Sequence, residues 1–507
     1  MDVVETEVLV VGAGPVGVTL GLLLADLGVS TMVIDKRTTV SVLPRARGLN
    51  ARGAEILRMV GVEADVIRRA LPVRPELQVR QDLAHEPTIV QATGGDTFTE
   101  VSPCEGIAIS QDVLESVLRE HLQRRDRAEL RTGWRLTRLS DADPGSTCRS
   151  FVSDAQGATR EIRSRFVVGA DGWRSDVRSQ LGIATTGDDD LGRMRSVRFA
   201  ARLSAWLGDP PPAFIRLSGI DGFLLATHPG DRWVLIVPER DGLDAEPGRL
   251  VGAALGVDVT VEVLDDTRWV AAVRQAVRFT QGNGMLAGDA AHRVTPAGAT
   301  GITSGMADAA NLAWKLAGTL QGWGGPHLLG SYGQEREPVA TWIGGANLRL
   351  WTDSQQGRQT PVELRWLEFG YRYRSAIIAP AAGGLDDIDL ASSFTPRAEP
   401  GDRAPHVRLS DGRSTIDLAG RQFTLLTADD EVAAWSRAAD LAGATVAAPL
   451  AVVSDPHPQV GAAFHLEPGQ AVLIRPDGHL AWRSGVPSPA HDRIPIVRTA
   501  IARATGW

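Results

Sequence analysis

Gly12, Gly14 and Gly17 stand in the order Gly-x-Gly-x-x-Gly, with Pro15 and Val16 inside the turn. Asp35 ends the next apolar run, and Lys36 follows it. Glycines at this spacing point to phosphate binding. The first permits a tight turn, the second lets backbone N–H groups approach a pyrophosphate, and the third lets a helix pack close to a strand. The helix start adds partial positive charge, and the acid is placed to bond a ribose hydroxyl. Two more acids close apolar runs: Asp171 after 166–170, and Asp289 after 285–288. The segment 297–305 is small and flexible in composition. Metal chemistry has little support, because the ten histidines show no HxH or HExxH spacing, and Cys104 and Cys148 form no CxxC.

The elements that must position these residues follow from the apolar pattern. A strand over 8–11, a helix over 18–27 stopped by Gly28, and a strand over 29–34 form a βαβ unit that holds a dinucleotide. An amphipathic helix is predicted over 51–60, and another over 111–123 with Val113, Leu114, Val117, Leu118 and Leu122 on one face. Residues 130–139, which include Leu136, read as a strand. A hairpin is predicted for 147–152 and 159–163 around the turn 154–157. The blocks 71–105 and 187–279 are strand-rich and read as one sheet domain inserted into the nucleotide-binding domain. Helices follow over 306–320 and 332–354, then a Pro-, Gly- and Asp-bearing linker over 386–405. Strands at 422–426 and 471–474 and helices at 431–442 and 494–504 suffice for a small third α/β domain.

With 507 residues, two or three domains are expected. The net charge of −8 and the absence of a Lys/Arg block argue against nucleic acid or an anionic membrane as partner. No apolar run reaches the ~18 residues of a membrane span. The chain enters a strand almost at once, so a cytosolic protein is expected.

Three motifs stand in order: Gly12-x-Gly14-x-x-Gly17, Asp171-Gly172-x-x-Ser175-x-x-Arg178, and Gly288-Asp289 opening a glycine-rich turn. This set resembles the single-component FAD-dependent aromatic hydroxylases of the para-hydroxybenzoate hydroxylase type. The likeness extends to Pro44-Arg45-Ala46, to 110–115 and to 311–316. The segments 403–406 and 475–483 resemble the branch with a thioredoxin-like tail that acts on phenols and aromatic polyketides, and 371–375 resembles a segment of the anthracycline hydroxylases.

The resemblance implies an α/β chain. A Rossmann-like FAD-binding domain would span 1–70, 106–185 and 279–390. An inserted β-sheet substrate domain would span 71–105 and 186–278, and a thioredoxin-like domain 398–507. It implies that Asp289 bonds the ribityl chain and that Pro296, Gly298, Ala299, Thr300, Gly301 and Ile302 lie beside the isoalloxazine. Arg45 and Gln111 would reach FAD phosphate and ribityl groups. Asp171 would belong to a motif linked to FAD and NADPH, and Leu136 is counted with the cofactor contacts. Where the family reads Pro-x-Gly-Gly-x-Gly-x-Asn, this chain has Ala299 and Thr303; a methyl at 299 restricts the backbone.

The activity implied is hydroxylation of a multi-ring aromatic substrate through a flavin hydroperoxide, consuming NADPH and dioxygen, in a monomer or homodimer. Arg372 and Arg374 are the candidate catalytic cations, set to stabilise a phenolate or the peroxide; a structural role on a helix competes with this. His292 is read as a structural residue of its turn, and Trp206, Trp233, Trp269 and Trp314 as core. A Baeyer–Villiger or ring-rearranging outcome with the same cofactor stays open, as does a flavin-binding protein without turnover. A tryptophan halogenase is disfavoured by the absence of a WxW. Without CxxC, the C-terminal domain is read as a packing or dimerisation module.

Overall fold

Four consecutive apolar residues need burial on both faces, and strand β1 (Val8–Val11) obtains it at the centre of a parallel sheet. Its neighbours are β2 (Thr31–Asp35) and β3 (Phe166–Gly169), with β4 (Gly284–Leu286) beyond β3 and Ala128–Thr132 beyond β2. The computed structural model describes the chain apart from residues 1–2, 42–46, 93–99, 241–244, 359, 429–431 and 486–492 and the side chains of 443–445. Helices α1 (Pro15–Asp26), α2 (Ala51–Met59), α3 (Gln111–Leu122), α4 (Gly301–Gln321) and α5 (Ser331–Gln355) contribute side chains to the core around this sheet. Helix α4 begins at Gly301 rather than at 306, because its small N-terminal residues pack against α1 instead of breaking the helix. A short helix that periodicity misses, α6 (Leu364–Phe369), follows α5.

The strand-rich blocks form one seven-stranded sheet. Its order is Glu262–Val270, Arg193–Ala200, Arg232–Pro238, Gly222–His228, Pro212–Leu217, Arg74–Arg80 and Ile89–Ala92. One face buries Val197, Phe199, Ile215, Leu224 and Leu235 beneath the helix Pro247–Leu255. Strand alternation sends Phe214, Phe223, Ile236, Ser196 and Met194 to the other face. The hairpin at 147–163 joins a separate four-stranded sheet.

The C-terminal region has a mixed sheet ordered Leu450–Ser454, Phe423–Thr427, Ala471–Ile474 and Leu480–Arg483, with helices Val432–Val446, Pro458–Phe464 and Arg493–Ala504. The segment 386–405 that precedes it contains no helix or strand. Trp314 of α4 meets Phe423 edge-on at 5.5 Å and stacks on Trp323 at 6.5 Å, so one apolar cluster is shared across the junction.

A buried ion network crosses the same junction. Arg475 donates to both oxygens of Glu335 on α5 at 2.8 and 2.7 Å and contacts Asp477. Lys315 donates to Glu335 at 2.8 Å, and Asn311 donates to Glu335 and Asp477 at 2.7 and 3.2 Å. Two cations face two anions, which is the condition for tolerating such burial. Burial would raise Glu335, but Arg475 and Lys315 hold it below the usual carboxylate range. A second cluster joins α2 to the C-terminal region: Glu55 accepts from Arg52 at 2.8 Å and from Arg403 at 3.0 Å. The motifs at 311–316, 403–406 and 475–483 therefore hold the C-terminal region onto the nucleotide-binding core.

Candidate active site

The glycine turn after β1 divides its labour. Gly12 has φ +107°, and a Cβ there would lie 2.3 Å from the Ala170 carbonyl oxygen. A Cβ on Gly17 would lie 1.9 Å from the Gly12 carbonyl oxygen. Both positions are closed by backbone. A Cβ on Gly14 would meet nothing within 4 Å, so the chain faces open space there. Helix α1 starts at that point with Pro15 and without a side-chain cap, leaving its first N–H groups and its positive end directed outward.

Asp35 closes the turn from behind, its Oδ2 accepting from Ala13 N–H at 2.9 Å and its Oδ1 from Arg37 N–H at 2.8 Å. Lys36 is exposed beside it. Arg119 of α3 donates through Nε and Nη2 to the Ala13 carbonyl at 3.1 and 2.8 Å and lies 3.6 Å from Asp35. Sequence reasoning missed this residue. Its one signal is an arginine on the buried side of an amphipathic helix. Gln111, at the start of the same helix, donates to Glu115 at 2.7 Å. Arg45 lies outside the described residues.

The Asp171 motif works as a clamp. Asp171 Oδ1 accepts from the Ser175 hydroxyl at 2.5 Å, and Oδ2 accepts from the N–H groups of Asp176 and Val177 at 2.7 and 3.2 Å. Arg178 then donates to the Ala290 carbonyl at 2.9 Å, tying the motif to the Gly288–Ala290 turn. Burial raises the Asp171 pKa, opposed by these hydrogen bonds. Its carboxylate is engaged by its own chain, so Asp171 shapes the motif expected to serve FAD and NADPH.

At that turn three elements meet. A Cβ on Gly305 of α4 would lie 2.5 Å from Val16 Cγ2 and 2.9 Å from Gly288 Cα, so α1, the turn and α4 touch at one point. Asp289 is exposed at the turn after β4. Gly288 N–H donates to Asp308 at 2.9 Å, and Asp308 also takes His292 Nε2 at 2.7 Å and Arg336 Nε at 2.6 Å. Burial would raise Asp308, but His292 and Arg336 hold it below the usual range. His292 is structural, as read from the sequence.

The turn from Pro296 to Ile302 leads into α4. Gly298 and Ala299 both adopt left-handed backbone, with φ +74° and +51°. Ala299 thus keeps a conformation that favours glycine, at a steric cost of about 1–2 kcal/mol. Helix α4 starts after Thr300 without a side-chain cap. Behind it, the Thr300 and Thr303 hydroxyls, the Tyr371 hydroxyl and one oxygen of Glu368 are buried without hydrogen-bond partners. These four residues line one cavity of about 10 Å³. Burial, then the charges of Glu55 and Glu363, push Glu368 up to about 8, so it is neutral at pH 7.

Ala297 of the turn joins an apolar cluster built on Met194, Ala271 and Trp351 that also takes in Ile236 and Trp269 of the open face of the seven-stranded sheet. Phe214 and Phe223 on that face are 40% and 37% exposed. Trp269 donates to Ser196 at 2.8 Å, and Trp233 and Trp314 are core residues.

Three expectations need correction. Arg372 is buried and bidentate to Asp402 at 2.8 Å for both bonds, and it also donates to the Ala382 carbonyl. Arg374 is exposed and donates to the carbonyls of Gly383 and Ala381. Both arginines fasten the segment after α6, and their guanidinium groups are taken up by these partners. Leu136 is 4% exposed within the main core, so its side chain has no surface for a ligand.

Residues 5–343 match the FAD binding domain family, and residues 397–506 match the family described as aromatic-ring hydroxylase, C-terminal. The chain belongs to the FAD-dependent aromatic hydroxylases. This hydroxylase is 35% identical to 4-methyl-5-nitrocatechol 5-monooxygenase of Burkholderia sp, over 95% of this chain and 94% of that one. It is 34% identical to tetracenomycin B2 monooxygenase-dioxygenase of Streptomyces olivaceus, over 96% of each. A crystal structure of aklavinone-11 hydroxylase in ternary complex with FAD and aklavinone superposes with TM-score 0.89 at 30% identity, covering all of both chains. The two turns fit FAD on their own features: open space at Gly14, two uncapped helix starts, and orphaned hydroxyls behind the second of them. No helix among the described residues is long and apolar enough to cross a membrane.

Proposed function

We propose that this hydroxylase consumes NADPH and dioxygen and hydroxylates a multi-ring aromatic substrate of the polyketide type. Gly14, Pro15 and Val16 at the start of α1 would take the pyrophosphate of FAD, within the turn shaped by Gly12 and Gly17. Asp35 would take a ribose hydroxyl and Asp289 the ribityl chain. The backbone of Pro296, Gly298, Ala299, Thr300, Gly301 and Ile302 would cradle the isoalloxazine. Bound FAD supplies the redox chemistry, passing electrons from the nicotinamide donor to dioxygen so that one oxygen atom enters the ring and the other leaves as water. The chain supplies geometry and field. N–H groups at the start of α4 turn positive potential toward the pyrimidine edge, an oxyanion-hole arrangement that favours reduced, anionic flavin. The open sheet face keeps water from the reacting carbon and holds a planar substrate flat.

One observation carries the reading: Ala297, within the cradling turn, shares one small apolar cluster with Met194, Ile236 and Trp269 of the open face, together with Ala271 and Trp351 of α5. From Phe214 to Trp269 that face crosses four strand spacings, ~19 Å, which suits fused rings better than one. Relatives named for tetracenomycin B2 and aklavinone support this choice. The test is NADPH oxidation by the yellow holoprotein with and without a panel of anthraquinones and angucyclinones. Substrate-stimulated oxidation with NADPH preferred over NADH is expected; a rate indifferent to every aromatic added would refute the proposal.

A further inference from the structure

Arg47 stands immediately before the strand Gly48–Leu49, its carbonyl accepting from Ile109 N–H at 3.0 Å. Its side chain leaves the nucleotide-binding core and reaches the seven-stranded sheet. There the guanidinium lies over the Phe214 ring, 4.8 Å from its centroid, and Nη2 donates to the Ala213 carbonyl. Nη1 is buried and has no hydrogen-bond partner. No carboxylate among the described residues pairs with it, and burial alone pushes its pKa down to about 10, so it remains charged at pH 7.

Arg47 is half-buried overall with its Nη1 enclosed, and Arg80, 4% exposed, is likewise without an ion pair among the described residues. Arg52, Arg336, Arg372, Arg403 and Arg475 each pair with a carboxylate. A guanidinium N–H enclosed without an acceptor is destabilising and calls for a partner supplied from outside the chain. Phe214 belongs to the half-exposed aromatic face whose far end, at Met194 and Trp269, shares an apolar cluster with Ala297 of the 296–302 turn. A planar molecule lying between Ala297 and Phe214 would bring its distal edge to Arg47.

We propose that Arg47 is a specificity-determining residue that anchors an anionic oxygen, a carboxylate or a ring phenolate, at the end of the aromatic substrate remote from the flavin. This rests on the substrate face assigned above and names the charge its ligand carries. A charge-assisted bond of this kind would favour an anionic ligand over its neutral counterpart on the order of tenfold to a hundredfold.

The test uses oxidised holoprotein and reads binding from perturbation of the flavin absorbance, with anthraquinone-2-carboxylate, 2-hydroxyanthraquinone and neutral anthraquinone-2-carboxamide as probes. The wild type is expected to prefer the carboxylate or the hydroxy probe over the carboxamide by about tenfold or more, and which of the two is preferred tells carboxylate from phenolate recognition. Arg47→Met should abolish the preference while leaving FAD content and carboxamide affinity unchanged; Arg47→Lys should retain part of it. Equal affinity for all three probes in the wild type, or an undiminished preference in Arg47→Met, would overturn the assignment; should Arg47→Met not retain FAD, a folded, FAD-bearing Arg47→Lys without any remaining preference would overturn it. Failure of the flavin reading itself is distinct, since it appears as a colourless wild-type protein before any probe is added.

Discussion

Glu368 offers a quantitative test of the cavity behind the start of α4. It is 8% exposed on α6, and burial, with Glu55 and Glu363 nearby, lifts its pKa from 4.5 to about 8. In the unfolded chain the same carboxyl loses its proton near its ordinary value. Between pH 4.5 and 8 the unfolded state therefore binds fewer protons than the folded state, and stability falls as pH rises through that window. Each tenfold change in proton affinity is worth about 1.4 kcal/mol, so the full penalty above pH 8 is on the order of 5 kcal/mol, and less where the site relaxes. Glu368→Gln keeps the shape, has no proton to lose and can donate to the hydroxyls around it. Thermal melting of the holoprotein from pH 5 to 8.5 should show the variant little changed at pH 5 and progressively more stable than wild type toward pH 8.5. A pH-independent difference, or a variant less stable at pH 8.5, would refute the assignment of Glu368 as a buried neutral acid.

Other substitutions test the rest of the architecture. Gly14→Val should abolish FAD retention with the fold intact by circular dichroism, because its side chain enters only open space; Gly17→Val, driven into the Gly12 carbonyl, should not fold. Ala299→Gly should stabilise by up to about 1 kcal/mol by relieving left-handed strain, and Ala299→Val should destabilise by at least as much, both read from melting temperature. Arg475→Leu leaves buried Glu335 and Asp477 with Lys315 as the one cation of the network and should cost about 3–5 kcal/mol in denaturant unfolding.

What the sequence made legible follows from locality. The turn at Gly12–Gly17, the strand ends carrying Asp35, Asp171 and Asp289, and the inserted sheet all announce themselves by spacing within a few residues. The backbone restriction expected of a methyl at Ala299 falls on a residue held in left-handed backbone, φ +51°. What escaped depends on contacts between distant segments. Arg119 meets Ala13, Arg475 meets Glu335, and Arg47 meets Phe214 through pairings that no local pattern encodes. Arg372 and Arg374 looked catalytic because an arginine-rich segment says nothing of its partners; Asp402 and the carbonyls after α6 are those partners. The motifs at 311–316, 403–406 and 475–483 were visible as a likeness, while their physical work, a charge-balanced junction, required the fold.

The central claim is that the groove at Gly14 and Asp289 holds a flavin that delivers one oxygen atom to a ring lying on the sheet. Product mass after turnover with isotopically labelled dioxygen measures this most directly. One labelled atom in an intact aromatic ring, with one NADPH consumed, is the predicted result. An unlabelled product, or label found in a lactone, would contradict it.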